Sequence, residues 1–521
     1  MKKLLMGDNM LSKVKKIFNY IKLKGKNNNF SNGQNEIYRI PSSIDKVKEK
    51  FKRDLELCSD LNLREIAFGK DRRRGLICYF SILANKEIID NIIIKSMMDE
   101  KLEIPKEGIV DFIIESVINE CEVKKTEDYT EAIDEMLSGN TLIFIDGQKE
   151  IILVNTHSNI GRAIEEPQNE MVVRGPKEGF TEDLDLQIAL IRKKIKDKRL
   201  KFEEFKLGEK SKTTVVLCYV KGIAKENIID EVKKRLSKIK IDAILDSGYI
   251  EQFIEENPYS PFSTVGNSQK PDVVAGRILE GRIAILCNGT PHVLTVPYLL
   301  IESIQVSEDY YNRTLISSLL RIVRVLAILI SVFLPGIFVA LQSFHQEMIT
   351  TVLLITMAAA REGVPFPAVI EALLMNFFFE ILKESGTRLP RAIGSSISIV
   401  GALVLGEAGV NAGIVGAPMV MVIALTGVSA FIAPDLSDAI TIYRVIFIIL
   451  GGSAGFYGIA LGVFVILTHL LSMKSFGIPY TMTISPFTNF KDSLFKPPIF
   501  KMKKRPEYMV GYDINKQEGE E

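Results

Sequence analysis

Three stretches of this 521-residue chain carry no Asp, Glu, Lys or Arg: 325–344, 408–434 and 445–473, of 20, 27 and 29 residues. A helix of about 20 mostly apolar residues covers the hydrocarbon thickness of a bilayer. Residues 1–313 are densely charged, so the formal net charge of +1 averages two unlike halves. The pattern predicts a soluble half followed by an α-helical multi-span membrane domain, and the length calls for about two to four folded units.

At the start, only Leu4-Leu5-Met6 form an apolar run, too short for a secretory signal core, so the soluble half is expected to stay on the cytoplasmic side. Leu11, Val14, Phe18 and Ile21 recur at helical spacing among lysines, which suits either contact with anionic lipid or a solvated tail. Residues 1–43 thus read as a basic N-terminal tail and linker. The five cysteines, at 58, 78, 121, 218 and 287, and the four histidines, at 157, 292, 345 and 469, show no ligand spacing. No metal site, cofactor or catalytic set is expected, and the cysteines read as small core residues.

From residue 44 the pattern is mixed α/β, and it repeats. "CYFSILANKEIID" at 78–90 returns as "CYVKGIAKENIID" at 218–230, and "GNTLIFIDG" at 139–147 returns as "GRIAILCNG" at 281–289. Each copy reads as a β-branched run, an amphipathic helix and a glycine-bounded hairpin. The fold class is therefore an α/β soluble half of two duplicated subdomains, expected at 44–180 and 201–313. Between them, Leu184, Ile188, Ile191 and Ile195 form one helical stripe opposite Arg192, Lys193 and Lys194. This predicts a connector helix over 181–200 with Thr181 as its N-cap.

Just before that helix lies "RGPKEGF", Arg174-Gly175-Pro176-Lys177-Glu178-Gly179-Phe180. A phosphate-cradling loop needs four residues between its glycines and a Lys after the second. Here there are three, and Phe180 stands in the lysine's place. Pro176 fixes its own φ and biases Gly175 away from helix, which is the chemistry of a shaped turn. Arg174, Gly175, Pro176, Lys177, Glu178 and Gly179 are accordingly candidates for a subdomain interface or hinge.

Several long motifs, in order, resemble the A subunit of GerA-type spore germinant receptors: "VVRGPKEGFTEDLDLQIALIRKKIK", "PFSTVGNSQKPDVVAGRILEGRIAILCNGTPHVLTVP", "SEDYYNR", "AAAREGVPFPAVIEALLMNFFFEILKESGTRLP" and "SIVGALVLGEAGVNAGIV". The resemblance runs from about Phe68 to Pro486. At Ser268-Gln269-Lys270-Pro271-Asp272 the family commonly has an acid where this chain has Gln269, which puts a pairing role there in doubt.

In the membrane half, 314–473, Arg321 and Arg324 precede the first span, and Lys474, Lys491, Lys496, Lys501, Lys503, Lys504 and Arg505 follow the last. Both ends are then cytoplasmic, which requires an even number of crossings. Four fit, at 325–341, 393–406, 413–431 and 445–471. The segment 349–382, broken at 361–367, is expected at the interface or re-entrant, and a fifth span over 364–382 is the rival topology. Residues 474–521 read as a cytoplasmic basic tail.

Ser395, Ser398, Ala402 and Leu405 fall on one stripe, with Glu407 near its end. Small residues there suit close helix packing. They equally suit a pore lining in a symmetric oligomer, with 451–455 as an alternative lining.

The resemblance implies a receptor complex in the spore inner membrane, with a transporter-like B subunit and a lipoprotein C subunit, and a homo-oligomer of A subunits acting as a ligand-gated cation channel. Membrane lipid is a partner and nucleic acid is not. Two other readings stay open at this point. One is a paralogous channel subunit that amplifies germination without sensing nutrients. The other, from a different class, is a membrane-anchored enzyme or nucleotide sensor. A secondary transporter is disfavoured, because the internal repeat lies in the soluble half.

Overall fold

The computed structural model describes residues 40–99, 104–105, 108–118, 121–158, 166–167, 170–388, 406–482, 492–506 and 508–516. The chain divides into two compact units. The first comprises Met1–Lys50, Asn62–Phe80 and Lys86–His157, and the second comprises Phe51–Leu61, Ser81–Asn85 and Ser158–Glu521.

Helix α1 (Ile44–Asp54) leads to strands β1 (Leu61–Phe68) and β2 (Arg73–Phe80), then to helix α2 (Ile88–Ile94), which is wound as a π-helix. Strand β3 (Val123–Thr126), helix α3 (Tyr129–Leu137), and strands β4 (Thr141–Ile145) and β5 (Ile151–Val154) follow. Asp128 starts α3 by accepting the Thr130 backbone N–H at 2.8 Å, satisfying a donor that a helix N-terminus leaves open. The sheet order is β1-β2-β4-β5-β3. Its register is antiparallel, with Leu76 opposite Phe144 and Ile143 opposite Ile152. Every residue of β4 and β5 is buried, so these central strands read as unbroken apolar runs.

The second unit repeats this order. Helix α4 (Leu184–Lys194) precedes β6 (Leu200–Leu207) and β7 (Thr213–Val220), and helices α5 (Glu226–Ser237) and α6 (Ser247–Ile254) come next. Then come β8 (Gly266–Ser268), helix α7 (Pro271–Leu279), and the hairpin β9 (Ile283–Cys287) and β10 (Val293–Val296). Sheet order β6-β7-β9-β10-β8 matches the first sheet strand for strand. Helix α4 occupies the place in this copy that α1 holds in the first, so the helix expected as a connector is the opening element of the second subdomain.

Two local expectations for α4 are corrected. Its N-cap is Asp183, whose Oδ1 accepts the Asp185 N–H at 2.9 Å, whereas the Thr181 hydroxyl finds no partner. Arg192 does not lie on a solvated face. It is 1% exposed, donates from Nη2 to Asp60 Oδ1 at 2.8 Å and lies over the Phe202 ring. A buried guanidinium keeps its charge only with such a partner.

A short helix α8 (Glu308–Tyr311) leads into α9 (Thr314–Ser343). Helices α10 (Thr351–Ala359) and α11 (Ala368–Arg388) flank the break at 361–367, and α12 (Ala417–Ala430) and α13 (Ser437–Ser472) complete the helical region. Among the described residues two helical segments, Thr314–Ser343 and Pro434–Ser472, are long and apolar enough to cross a membrane, the second broken at Gly455, whose backbone is not helical (φ 59°, ψ −143°). Helix α12, with 14 residues, is shorter than a crossing, and the span expected at 393–406 lies outside the described residues apart from Gly406. Helices α9 and α13 touch backbone to backbone where Gly336 meets Gly451: a Cβ on Gly336 would lie 2.5 Å from the Phe447 carbonyl oxygen, and one on Gly451 would strike the Gly336 carbonyl. Close approach through small residues is how helices associate in lipid.

Residues beyond α13 return to the second subdomain. Met509 and Val510 are 0% and 2% exposed in its core, and Gly511 donates its N–H to the Ile223 carbonyl at 2.8 Å. The tail is thus a packed part of that domain, not only a basic extension.

Candidate functional site at the foot of the apolar helices

The most concentrated polar constellation lies where the second subdomain, α8, the first turns of α9 and the tail meet. Asp309 sits in α8 at 1% exposure. Arg324 donates to it twice, at 2.7 and 2.8 Å, and Arg321 Nε donates at 3.0 Å. Arg321, fully buried, also donates from Nη1 to Asp492 Oδ1 at 2.9 Å and to the Ser493 carbonyl at 2.9 Å. The Tyr310 hydroxyl donates to Asp492 Oδ2 at 2.8 Å. Lys496 caps the group by donating to the Asp309 carbonyl at 2.6 Å.

Burial acts to raise the Asp309 carboxyl, but hydrogen bonds and charge from Arg324 and Arg321 outweigh it and hold Asp309 below the ordinary carboxylate range. For Asp492 the balance reverses: burial outweighs Arg321 and lifts it above that range. Two carboxylates on one arginine are therefore unequal, Asp309 the firm anchor and Asp492 the weaker one.

The "RGPKEGF" loop touches α8 at both its first and its last residue. Arg174 is exposed and offers its backbone N–H to Glu308 Oε1 at 3.3 Å. Gly175, at φ +140°, lies against the Tyr311 ring so closely that a Cβ would be 2.7 Å from Cδ2. Tyr311 in turn donates to Asp272 Oδ2 at 2.6 Å, and Lys270, 1% exposed, lies 3.5 Å from the same carboxylate. Lys177 pairs with Glu166 at 3.0 Å, and Glu178 accepts from Lys194 of α4 at 2.7 Å. Pro176 is half-buried and Gly179 is buried, while Phe180 donates its N–H to the Gln269 carbonyl at 2.7 Å. Gln269, which lacks the family's acid, pairs its amide with His292 Nε2 at 2.9 Å.

Two further bonds tie this subdomain to α13 and to the 3₁₀ turn Pro434–Leu436 that precedes it. The Tyr298 hydroxyl donates to Asp435 at 2.9 Å, and Ser260 Oγ lies 3.0 Å from His469 Nε2. Higher in the helices, Arg444 is 1% exposed and joins three of them: it donates to the Ser331 carbonyl of α9 at 2.9 Å and to Asn376 and Glu380 of α11 at 3.1 and 3.3 Å. An ionised group among apolar helices is costly and usually faces the bundle interior.

Of the residues on the expected pore stripe, Ser395, Ser398, Ala402 and Leu405 lie outside the described residues. Glu407 is exposed at the start of a helical stretch. The alternative lining at 451–455 includes Gly451, packed against α9, and Gly452, against Val369. Sequence reasoning missed Asp309, Asp492 and Lys496 as a constellation. The available signal was a pair of arginines in the first turns of an apolar helix, just after the acidic "SEDYY".

Among the described residues no group of His, Cys, Asp and Glu is placed to hold a metal ion. The fold and this junction define a class of protein: two copies of an α/β subdomain, the second bonded through its loops and the chain's tail to the foot of a helical region that has, among the described residues, two apolar segments of membrane length. The chain belongs to the GerA family of spore germination proteins, the family of spore germination receptor A subunits. Residues 46–508 match the family model described as Bacillus/Clostridium GerA spore germination protein. The chain is 43% identical to spore germination protein KA of Bacillus subtilis (strain 168), over 92% of this chain and 89% of that protein. It is 41% identical to the uncharacterized membrane protein YfkQ of the same organism, over 87% and 88%, and 34% identical to spore germination protein GerLA of Bacillus cereus, over 92% and 98%. The crystal structure of the N-terminal domain of the A subunit of the Bacillus megaterium spore germinant receptor GerK3 aligns at 31% identity and a TM-score of 0.41, covering 51% of this chain and 98% of that one.

Proposed function

We propose that this chain is the A subunit of a nutrient-sensing germinant receptor that oligomerises as a ligand-gated cation channel in the spore inner membrane. Its partners are a transporter-like B subunit and a lipoprotein C subunit. The observation that carries the reading is the junction at Arg321, where the soluble domain, the first apolar helix and the tail share one buried ion-pair group. A shift of the α/β domain is transmitted to the helices there, provided ligand binding favours one of two arrangements. The tail beyond α13 packs on the subdomain that precedes α9, which supports an even number of crossings with both ends cytoplasmic. Ser395, Ser398, Ala402, Leu405 and Glu407 are the proposed pore lining, and 174–179 the proposed hinge.

The test is K⁺ flux from liposomes holding the full chain, repeated with Glu407→Gln and Ser398→Leu. Flux that falls in both variants is expected. Its absence in correctly assembled protein overturns the channel, and unchanged flux in both variants overturns this lining alone. A second reading is a channel subunit that does not sense nutrients. Co-purification with a B subunit separates the two.

A further inference from the structure

The junction uses one side of the α9 foot, and the other side is left apolar. Leu315 and Leu319, across the helix from Arg321, are 87% and 55% exposed. The tail reaches the same level because Lys496 is pinned there. Its N–H donates to Ser318 Oγ at 3.1 Å, and its ammonium to the Asp309 and Asn312 carbonyls. Pro497 and Pro498 follow, with fixed φ, and then a single 3₁₀ turn, Ile499–Lys501. Around this pin Phe495, Ile499 and Phe500 turn outward, 62%, 56% and 67% exposed. Lys501, Lys503 and Lys504 are exposed in the same stretch, and none joins an ion pair among the described residues.

We propose that this patch is an interfacial anchor for an anionic lipid surface. Phe495, Ile499 and Phe500 seat at the boundary of headgroups and acyl chains, and the three lysines hold acidic headgroups of the leaflet facing the soluble half. Three arguments favour lipid as the occupant. At 30 residues α9 is about 45 Å long, against a hydrocarbon thickness of about 30 Å, so its first turns fall in the headgroup zone. Phe and aliphatic side chains beside lysines are the composition of segments that lie in a membrane interface, whereas the cores of protein interfaces are depleted in lysine. The unpaired positive charge of the lysines complements acidic headgroups, each lysine adding to the attraction. The inference rests on reading α9 as a membrane span.

The chain contains no tryptophan, so one introduced tryptophan is a unique fluorophore. Full-length Phe495→Trp and, separately, Phe500→Trp are reconstituted into phosphatidylcholine vesicles with and without phosphatidylglycerol, each with brominated acyl chains. The expected result is blue-shifted emission quenched by the brominated lipid, more strongly with phosphatidylglycerol, and a several-fold loss of that quenching on adding K501E/K503E/K504E. Emission at the wavelength of aqueous tryptophan overturns the anchor. So does blue-shifted emission that brominated lipid leaves unquenched, because protein then covers the patch. Equal quenching in neutral and acidic vesicles overturns the headgroup recognition. K⁺ flux measured in the same vesicles keeps the two readings apart: flux without quenching removes the anchor and leaves the channel, whereas protein extracted by alkaline carbonate removes the membrane reading and the anchor with it.

Discussion

Arg321, in the second turn of the first long apolar helix, and Asp492, beyond the last one, are joined at 2.9 Å. Residues separated by the whole helical region therefore meet at one point, on the face that also holds the second α/β subdomain. The pair closes the helical region into a loop whose two ends are held together by charge.

Because Arg321 is shared, its partners are not equivalent under mutation. Arg321→Gln leaves Asp492 buried without its cation and weakens the hold on Asp309, and breaking a buried pair in this way costs about 3–5 kcal/mol. Asp492→Asn removes a carboxylate that burial already disfavours, and Arg321 keeps Asp309, so a smaller loss of about 1.5–3 kcal/mol is expected. Thermal unfolding of the purified full-length variants measures the order. A larger loss from Asp492→Asn than from Arg321→Gln would show that the anchor has been assigned to the wrong carboxylate.

The Gly175–Tyr311 contact makes a prediction about the hinge. Alanine at 175 meets both an unfavourable φ of +140° and the Tyr311 ring, a combined strain of about 1–3 kcal/mol. Tyr311→Ala removes the clash but also its bond to Asp272, so the two substitutions should be non-additive: Gly175→Ala should cost less in the Tyr311→Ala background. A double-mutant cycle on melting temperature reads this directly. Strict additivity would mean the loop does not bear on α8.

The tail should be a structural part of the soluble domain. Met509 is fully buried among residues of α5 and the β9–β10 hairpin, so Met509→Ala is expected to cost about 2–5 kcal/mol. Limited proteolysis of the full chain should then cut within 200–300 at protease levels that spare the wild type. If the cleavage pattern is unchanged, the docking contributes little to stability.

The duplication was legible because strands buried on both faces spell unbroken apolar runs, so "LIFI" and "IAIL" keep their character even where residues differ. The same sequence misled over α4, where 3.6-residue periodicity put Arg192 on the outer face. Periodicity registers which side is apolar but not that Asp60, 132 residues away, waits there with a buried carboxylate. The loop at 174–180 reads as a joint because it fails the spacing of a phosphate loop and lies between the two copies, but its contacts with Glu308 and Tyr311 of α8 are ones that only tertiary structure reveals. Lys496 counted in the sequence as one more tail cation, and the fold spends it on backbone carbonyls at the foot of α9.

A last prediction concerns pH. Glu251 of α6 and Glu255 both reach Ser263 Oγ at 3.1 Å, and the Val265 carbonyl also accepts from it, so one hydroxyl proton faces three acceptors. Burial, with the charge of Glu255 added, raises the Glu251 carboxyl to about 7. In the unfolded chain the same group titrates near about 4.3. Between those values the folded state holds a proton that the unfolded state releases, so the stability contribution is present at low pH and is lost as pH rises through about 4.5 to 7. The loss is on the order of 3 kcal/mol, at about 1.4 kcal/mol per pKa unit, and levels off above that window. Glu251→Gln mimics the protonated form, so its melting temperature should change less across pH 5 to 8, roughly the window set by this linkage, and should exceed that of the wild type at the alkaline end. A variant that tracks the wild type throughout would place the titrating proton on another group, with Glu255, also raised by burial, the first to substitute next.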